Sequence, residues 1–109
     1  MIAFASRTGN IRYMISRLQL PATEITEGCT IREPFLLFTY TDGLGEVPHQ
    51  VQQFMERNGN NCIGVIVSGN SNFGHQVFGG AGDVIARQWQ VPIVRKIDLR
   101  GYSEDYAAI

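Results

Sequence analysis

Ser6, Arg7, Thr8, Gly9 and Asn10 interrupt the chain between a short apolar run, residues 2–5, and an amphipathic stretch that starts at Ile11. Two hydroxyls, an amide and the free N–H groups of a starting helix form a cluster of donors. The helix dipole favours negative charge at that end, and Gly9 lets the backbone approach a ligand closely. The chemistry offered is retention of a phosphate. The plainer alternative is a polar helix cap that binds nothing. The segment matches neither GxxxxGK[ST] nor GxGxxG, so it is not one of the common nucleotide loops.

Two further loops carry unusual residues. Tyr40, Thr41, Asp42, Gly43, Leu44 and Gly45 lead into Glu46, Val47 and Pro48. The two glycines open backbone conformations closed to other residues, and Leu44 between them offers an apolar tip. Gly43 is the residue expected to let a peptide plane rotate beside a bound ring. Ser68, Gly69, Asn70, Ser71, Asn72, Phe73 and Gly74 form the other loop, followed by His75. Phe73 lies outside the core pattern, and a flat aromatic there can stack on a planar ring. The alternatives are an ordinary turn for the first loop and a loop anchored by a core phenylalanine for the second. His75 reads as a surface or capping group.

These loops must be held by the elements between them. Near-continuous apolar runs at residues 2–5, 35–40, 63–67 and 92–97 read as strands buried on both faces, and a weaker strand falls near residues 23–26. Ile11, Met14, Ile15 and Leu18 recur at helical spacing, with Asn10 expected as N-cap and Pro21 as the stop. Val47, Val51, Phe54 and Met55 give a second helix, with Pro48 in its first turn and Gly59 as C-cap. Phe78, Ala81, Ile85 and Trp89 give a third, weakened by Gly79, Gly80 and Gly82. Ser103 caps a last helix that Ile109 follows too soon for full length. Alternating strands and helices predict an α/β fold: a five-stranded parallel sheet of order 2-1-3-4-5 between two helical layers. Ligands of such sheets bind beyond the carboxyl ends of the strands, here where the loops after Ala5, Tyr40 and Val67 meet.

Length and composition set the remaining bounds. The chain has 109 residues, 44% hydrophobic and 17% charged, with a net charge of -1. That predicts one domain, residues 1–109, with no field that calls for nucleic acid or an anionic membrane. Cys29 and Cys62 are far apart, and no export signal or transmembrane run precedes them, which predicts a cytoplasmic location. No cluster of histidine, cysteine and carboxylates points to a metal. No Cys-x5-Arg loop offers a phosphatase nucleophile, and no aspartate ends the 35–40 strand, where a phospho-accepting receiver domain needs one.

A phosphate cradle together with two apolar-tipped loops suits a ligand with a phosphate at one end and a flat ring at the other. FMN fits. Only Asp42 and Glu46 bring carboxylates to the three loops. Little negative charge therefore opposes a reduced, anionic flavin, and the two reduction steps are expected close together. Two rival functions fit the same fold: a general electron-transfer flavodoxin with the same ligand, and a non-redox binding domain that keeps the fold without flavin.

The segments SRTGN (6–10), TYTDGLGEVP (39–48), SGNSNFG (68–74) and RQWQVPI (87–93) resemble the NrdI proteins, small flavodoxin-like activators of class Ib ribonucleotide reductase. Several of those relatives carry a larger aromatic where Phe73 stands. The resemblance implies a flavodoxin-like three-layer fold and non-covalent FMN, held by the three loops. It implies that a reductant, not identified by the sequence, reduces the flavin. Molecular oxygen would then yield a superoxide or peroxide oxidant, used to assemble the dimanganese–tyrosyl radical centre of the reductase small subunit. Such a protein is a redox accessory rather than a substrate-turnover enzyme, so no residue is expected to be catalytic in its own right.

Overall fold

In a strand, neighbouring side chains point to opposite faces, so a run that is apolar throughout must be covered on both. The computed structural model follows this rule; it describes residues 1–5, 7, 9–41, 45–69, 78–98, 101 and 103–109, the side chains of 103, 104 and 108 excepted. The elements are β1 (Ile2–Phe4), α1 (Asn10–Leu18), β2 (Ala22–Glu24), β3 (Phe35–Tyr40), α2 (His49–Asn58), a 3-10 turn (Gly59–Asn61), β4 (Cys62–Gly69), α3 (Gly80–Trp89), β5 (Ile93–Asp98) and α4 (Ser103–Ala108). The five strands are parallel and lie in the order β2-β1-β3-β4-β5, as the alternation predicts.

Ile2, Phe4, Phe38, Ile66 and Ile97 face one way and meet Ile11 and Met14 of α1 and Tyr106 of α4. Ala3, Leu37, Val65 and Val67 face the other way and meet Val51, Phe54 and Met55 of α2 and Ala81 and Ile85 of α3. Two cores on opposite faces of one sheet make three layers. Phe35 and Phe54 pack edge to face across one of them, with ring centroids 5.4 Å apart. Among the described residues no helix is long and apolar enough to cross a membrane.

Several helix ends differ from the sequence expectation. The N-cap of α1 is Gly9, with φ 89°, and Asn10 is already helical. A left-handed residue needs no side chain in that place, so the asparagine is displaced into the first turn. Gln19, also left-handed, ends α1 two residues ahead of Pro21. Pro48 precedes α2 as its N-cap. Gly59 has φ -58° and lets α2 run on into the 3-10 turn. Its lack of a side chain serves packing instead, because a Cβ there would lie 2.5 Å from the Trp89 ring. A six-residue helix does form at Ser103–Ala108. It is fastened to the sheet by Arg95, whose Nε donates to the buried Asp105 carboxylate at 2.8 Å. Ile63, read as part of a buried run, is 55% exposed. The β3–β4 register slips there, pairing Phe35 with Cys62 and Leu36 with Gly64, so that Ile63 is pushed outward.

Parallel neighbours are usually joined through a helix. The β2–β3 connection, residues 25–34, has none. Ile25 and Ile31 are buried against the α2 core, and side-chain amides satisfy the backbone that a helix would have satisfied itself. Asn58 Oδ1 accepts from the Ile31 N–H at 2.8 Å, and Asn58 Nδ2 donates to the Cys29 and Phe54 carbonyls at 2.9 and 3.1 Å. Gln50 donates to the Ile25 carbonyl and Asn61 to the Ile31 carbonyl, each at 2.9 Å. A groove of about 650 Å³ remains between this segment and α2.

Both cysteines are free thiols, Cys29 half-buried and Cys62 buried. Burial pushes the Cys62 thiol up from its ordinary value of 9.0, and hydrogen bonds with the backbone of Gly64 and Leu37 offset only part of this. Its contribution to stability is complete below that ordinary value. It is lost as pH rises beyond it, because the unfolded thiol ionises first. Iodoacetamide applied to the native protein at pH 8 is expected to modify Cys29 and spare Cys62, with both modified in urea. Intact and peptide mass measurement reads the difference, and equal labelling of both thiols in the native state would contradict the burial.

Candidate functional site

The carboxyl ends of β1, β3 and β4 lie side by side, and the chain turns opposite ways from β1 and β3. A crevice opens at such a switch point. The ladder continues past the strand ends: the Ala5 N–H donates to the Phe38 carbonyl at 3.0 Å and the Thr41 N–H to the Ser68 carbonyl at 3.0 Å. These bonds bring Thr41 beside Ser68 at the rim of the crevice.

On the β1 side, Gly9 turns the chain into α1, and its carbonyl accepts the first helical bond from the Tyr13 N–H at 3.0 Å. The N–H groups of that turn have no intrahelical acceptor. A Cβ on Gly9 would meet nothing within 4 Å among the described residues, which leaves the turn bare enough for an anion to approach. The Arg7 guanidinium stands 5.0 Å from the Tyr40 ring centroid, a cation–π contact that spans the first two loops.

On the β3 side two threonines stand two residues apart and differ. The Thr39 hydroxyl donates to the Tyr40 carbonyl at 2.9 Å. The Thr41 Oγ1 is buried and has no hydrogen-bond partner among the described residues. Such an orphan is costly in a folded protein, and a ligand that supplies an acceptor or donor removes the cost.

The third wall is built from backbone. A Cβ on Gly69, at the end of β4, would lie 3.0 Å from the Gly79 nitrogen. A Cβ on Gly80 would lie 2.7 Å from the Gly45 Cα and 2.9 Å from its carbonyl oxygen. Lys96 on β5 ties this wall down, donating to the Phe78 carbonyl at 3.2 Å and to Asp83 at 2.8 Å.

The family model for NrdI flavodoxin-like proteins matches residues 2–109. The chain belongs to the NrdI flavodoxin-like family. A solved structure described as a short-chain flavodoxin associated with a PDU bacterial microcompartment superposes with a TM-score of 0.70. It is 20% identical, and the match covers 98% of this chain and 88% of that one. That likeness concerns the fold.

Of the site residues expected in this NrdI-family chain, the structure brings Arg7, Gly9, Asn10, Tyr40, Thr41, Gly45, Ser68 and Gly69 to one edge of the sheet. Ser6, Thr8, Asp42, Gly43, Leu44, Asn70, Asn72, Phe73 and Gly74 lie outside the described residues, as does His75. Gly79, Gly80 and Lys96 were not among the expected residues. The cluster of glycines at 79–82 was the available signal, read only as a weakness in the helix. Lys96, the single lysine of the chain, stands in the strand next to it.

Proposed function

We propose that this protein binds FMN non-covalently at the carboxyl edge of the sheet and acts as the flavoprotein that helps assemble the dimanganese–tyrosyl radical centre of a class Ib ribonucleotide reductase small subunit. The observation that carries the reading is the buried hydroxyl of Thr41 at the switch point, without a partner among the described residues, in a chain of the NrdI flavodoxin-like family. The residues fit the group: an open glycine turn for the phosphate and an unpaired polar atom for a ring edge. Bound FMN would supply two-electron redox chemistry and reactivity toward oxygen.

In this reading Gly9 and the first turn of α1 hold the phosphate, with Ser6, Thr8 and Asn10 as further donors. Thr41 orients the ring through its hydroxyl. Arg7, stacked on Tyr40, keeps its charge at the phosphate end of the site. Asp42, Gly43, Leu44 and Gly45, with Ser68, Gly69, Asn70, Asn72, Phe73 and Gly74, flank the ring and exclude water from it.

The direct test is reconstitution. The purified protein is expected to turn yellow with FMN. After anaerobic reduction, it is expected to support tyrosyl-radical formation in a manganese(II)-loaded small subunit when oxygen is admitted. Electron transfer without radical formation would favour a general electron-transfer flavodoxin, and a protein that stays colourless would remove flavin from the reading. Thr8→Ala takes away one bond to a charged acceptor while the backbone donors remain. Its FMN affinity is expected to fall by about 1.5 kcal/mol, roughly tenfold, in fluorescence titration.

A further inference from the structure

The contact between Gly45 and Gly80 is unusual in what it lacks. Two backbones meet with no side chain between them, and a single added Cβ would have to displace main-chain atoms 2.7 and 2.9 Å away. Gly45 has φ 101° and Gly79 has φ 63°, conformations that other residues adopt only at a cost. A Cβ on Gly79 would also strike the Lys96 side chain at 2.9 Å. Behind this junction the Lys96 ammonium holds the Phe78 carbonyl and Asp83.

Little of this stabilises the fold. Gly45 and Gly80 belong to neither core and bury no side chain. The Lys96–Asp83 pair is partly exposed on both sides, where an ion pair contributes little. These constraints thus converge on a place of small energetic return, and what they do determine is distance. Gly45 lies within the connection between β3 and α2, and Gly80 begins α3, the helix that follows β4. The junction fixes how far Gly45 stands from the start of α3.

We infer that Gly80 is a positioning residue for the flavin: its backbone contact with Gly45 sets the spacing of the two loops that flank the ring. This rests on the FMN reading above. Gly82 supplies the control, because a Cβ there would strike Val67 inside the core, 2.7 Å away, and leave Gly45 untouched.

The experiment compares wild type, Gly80→Ala and Gly82→Ala in FMN titration, in visible absorption of the bound flavin and in the amide spectrum of the FMN-free protein. Gly80→Ala is expected to raise the FMN dissociation constant about tenfold and to shift the flavin bands, since overpacking must be relieved by moving the loop. It is also expected to move the Gly45 amide resonance before any flavin is added. Gly82→Ala is expected to lower the unfolding temperature and to keep the affinity within about twofold of wild type. Lys96→Met decides the matter if Gly80→Ala does not fold. It frees the start of α3 without adding volume, and a rise of about threefold in the dissociation constant is expected. Unchanged affinity in Gly80→Ala, or in Lys96→Met where that variant decides, would overturn the inference alone. Wild type that takes up no FMN would overturn the functional reading and the inference with it.

Discussion

Asn58→Leu is expected to lower the unfolding free energy by about 3–5 kcal/mol, a large share of the 5–15 kcal/mol typical of a domain. Asn58 is 2% exposed and is the main fastening of the helix-free connection between β2 and β3. Its amide makes bonds of 2.8, 2.9 and 3.1 Å to the backbone of Ile31, Cys29 and Phe54. Leucine keeps the volume and removes every bond. The Ile31 N–H and the Cys29 carbonyl then lose their partner inside the fold, at about 1–3 kcal/mol each. Ile25 and Ile31, which that backbone holds in the α2 core, become free to leave it. Urea denaturation of the FMN-free protein reads the loss directly. A drop below about 1 kcal/mol would mean that the segment satisfies its backbone in some other way.

Thr41→Val is expected to act with opposite signs on the free and the flavin-bound protein. Valine has the shape of threonine without the hydroxyl, so it removes the buried atom that lacks a partner. The FMN-free protein should gain about 1–2 kcal/mol in stability. If the hydroxyl bonds to the ring, FMN affinity should fall by about 1–3 kcal/mol, roughly fivefold to more than a hundredfold. Thr39→Val is the companion measurement. Its hydroxyl already donates to the Tyr40 carbonyl, so its removal should destabilise the protein and leave affinity nearly unchanged. Thermal unfolding without FMN and fluorescence titration with it give both signs. A Thr41→Val protein that is less stable and binds FMN equally well would contradict the assignment of this residue.

Four strands of the sheet were legible because they are near-continuous apolar runs; β2, Ala22–Glu24, gave only a weak signal. Runs such as Phe35–Tyr40 admit hardly any other placement, and strand order followed from connection rules. The helices were legible through residues such as Ile11 and Met14, whose spacing marks one buried face. What stayed hidden depends on contacts between distant parts of the chain. Nothing around Gly59 or Gly80 in the sequence says that Trp89 or Gly45 will press against them. Asn10 was the expected cap of α1, and the left-handed turn that moves the cap to Gly9 has no mark in the sequence. Asn58 and Asn61 drew no notice in the sequence, because their partners lie some 30 residues upstream. At the site, sequence alone selected Thr41 as one polar residue among several. Its burial without a partner is a property of the ladder bond to Ser68 that seats it.

The connection without a helix also sets where the protein breathes. Opening free energies vary across a structure, and units with few contacts open without the rest. β2 has three residues and pairs only with β1, and the segment after it is held by a few amide side chains. β3 and β4 are hydrogen-bonded on both sides and covered by both cores. Amides of β2 should therefore exchange with solvent through local opening, while those of Val65 and Ile66 wait for the whole molecule to unfold. Thr41 and Ser68 are carried by the slow half of the sheet, so the outer strand can come and go while the rim of the crevice keeps its shape.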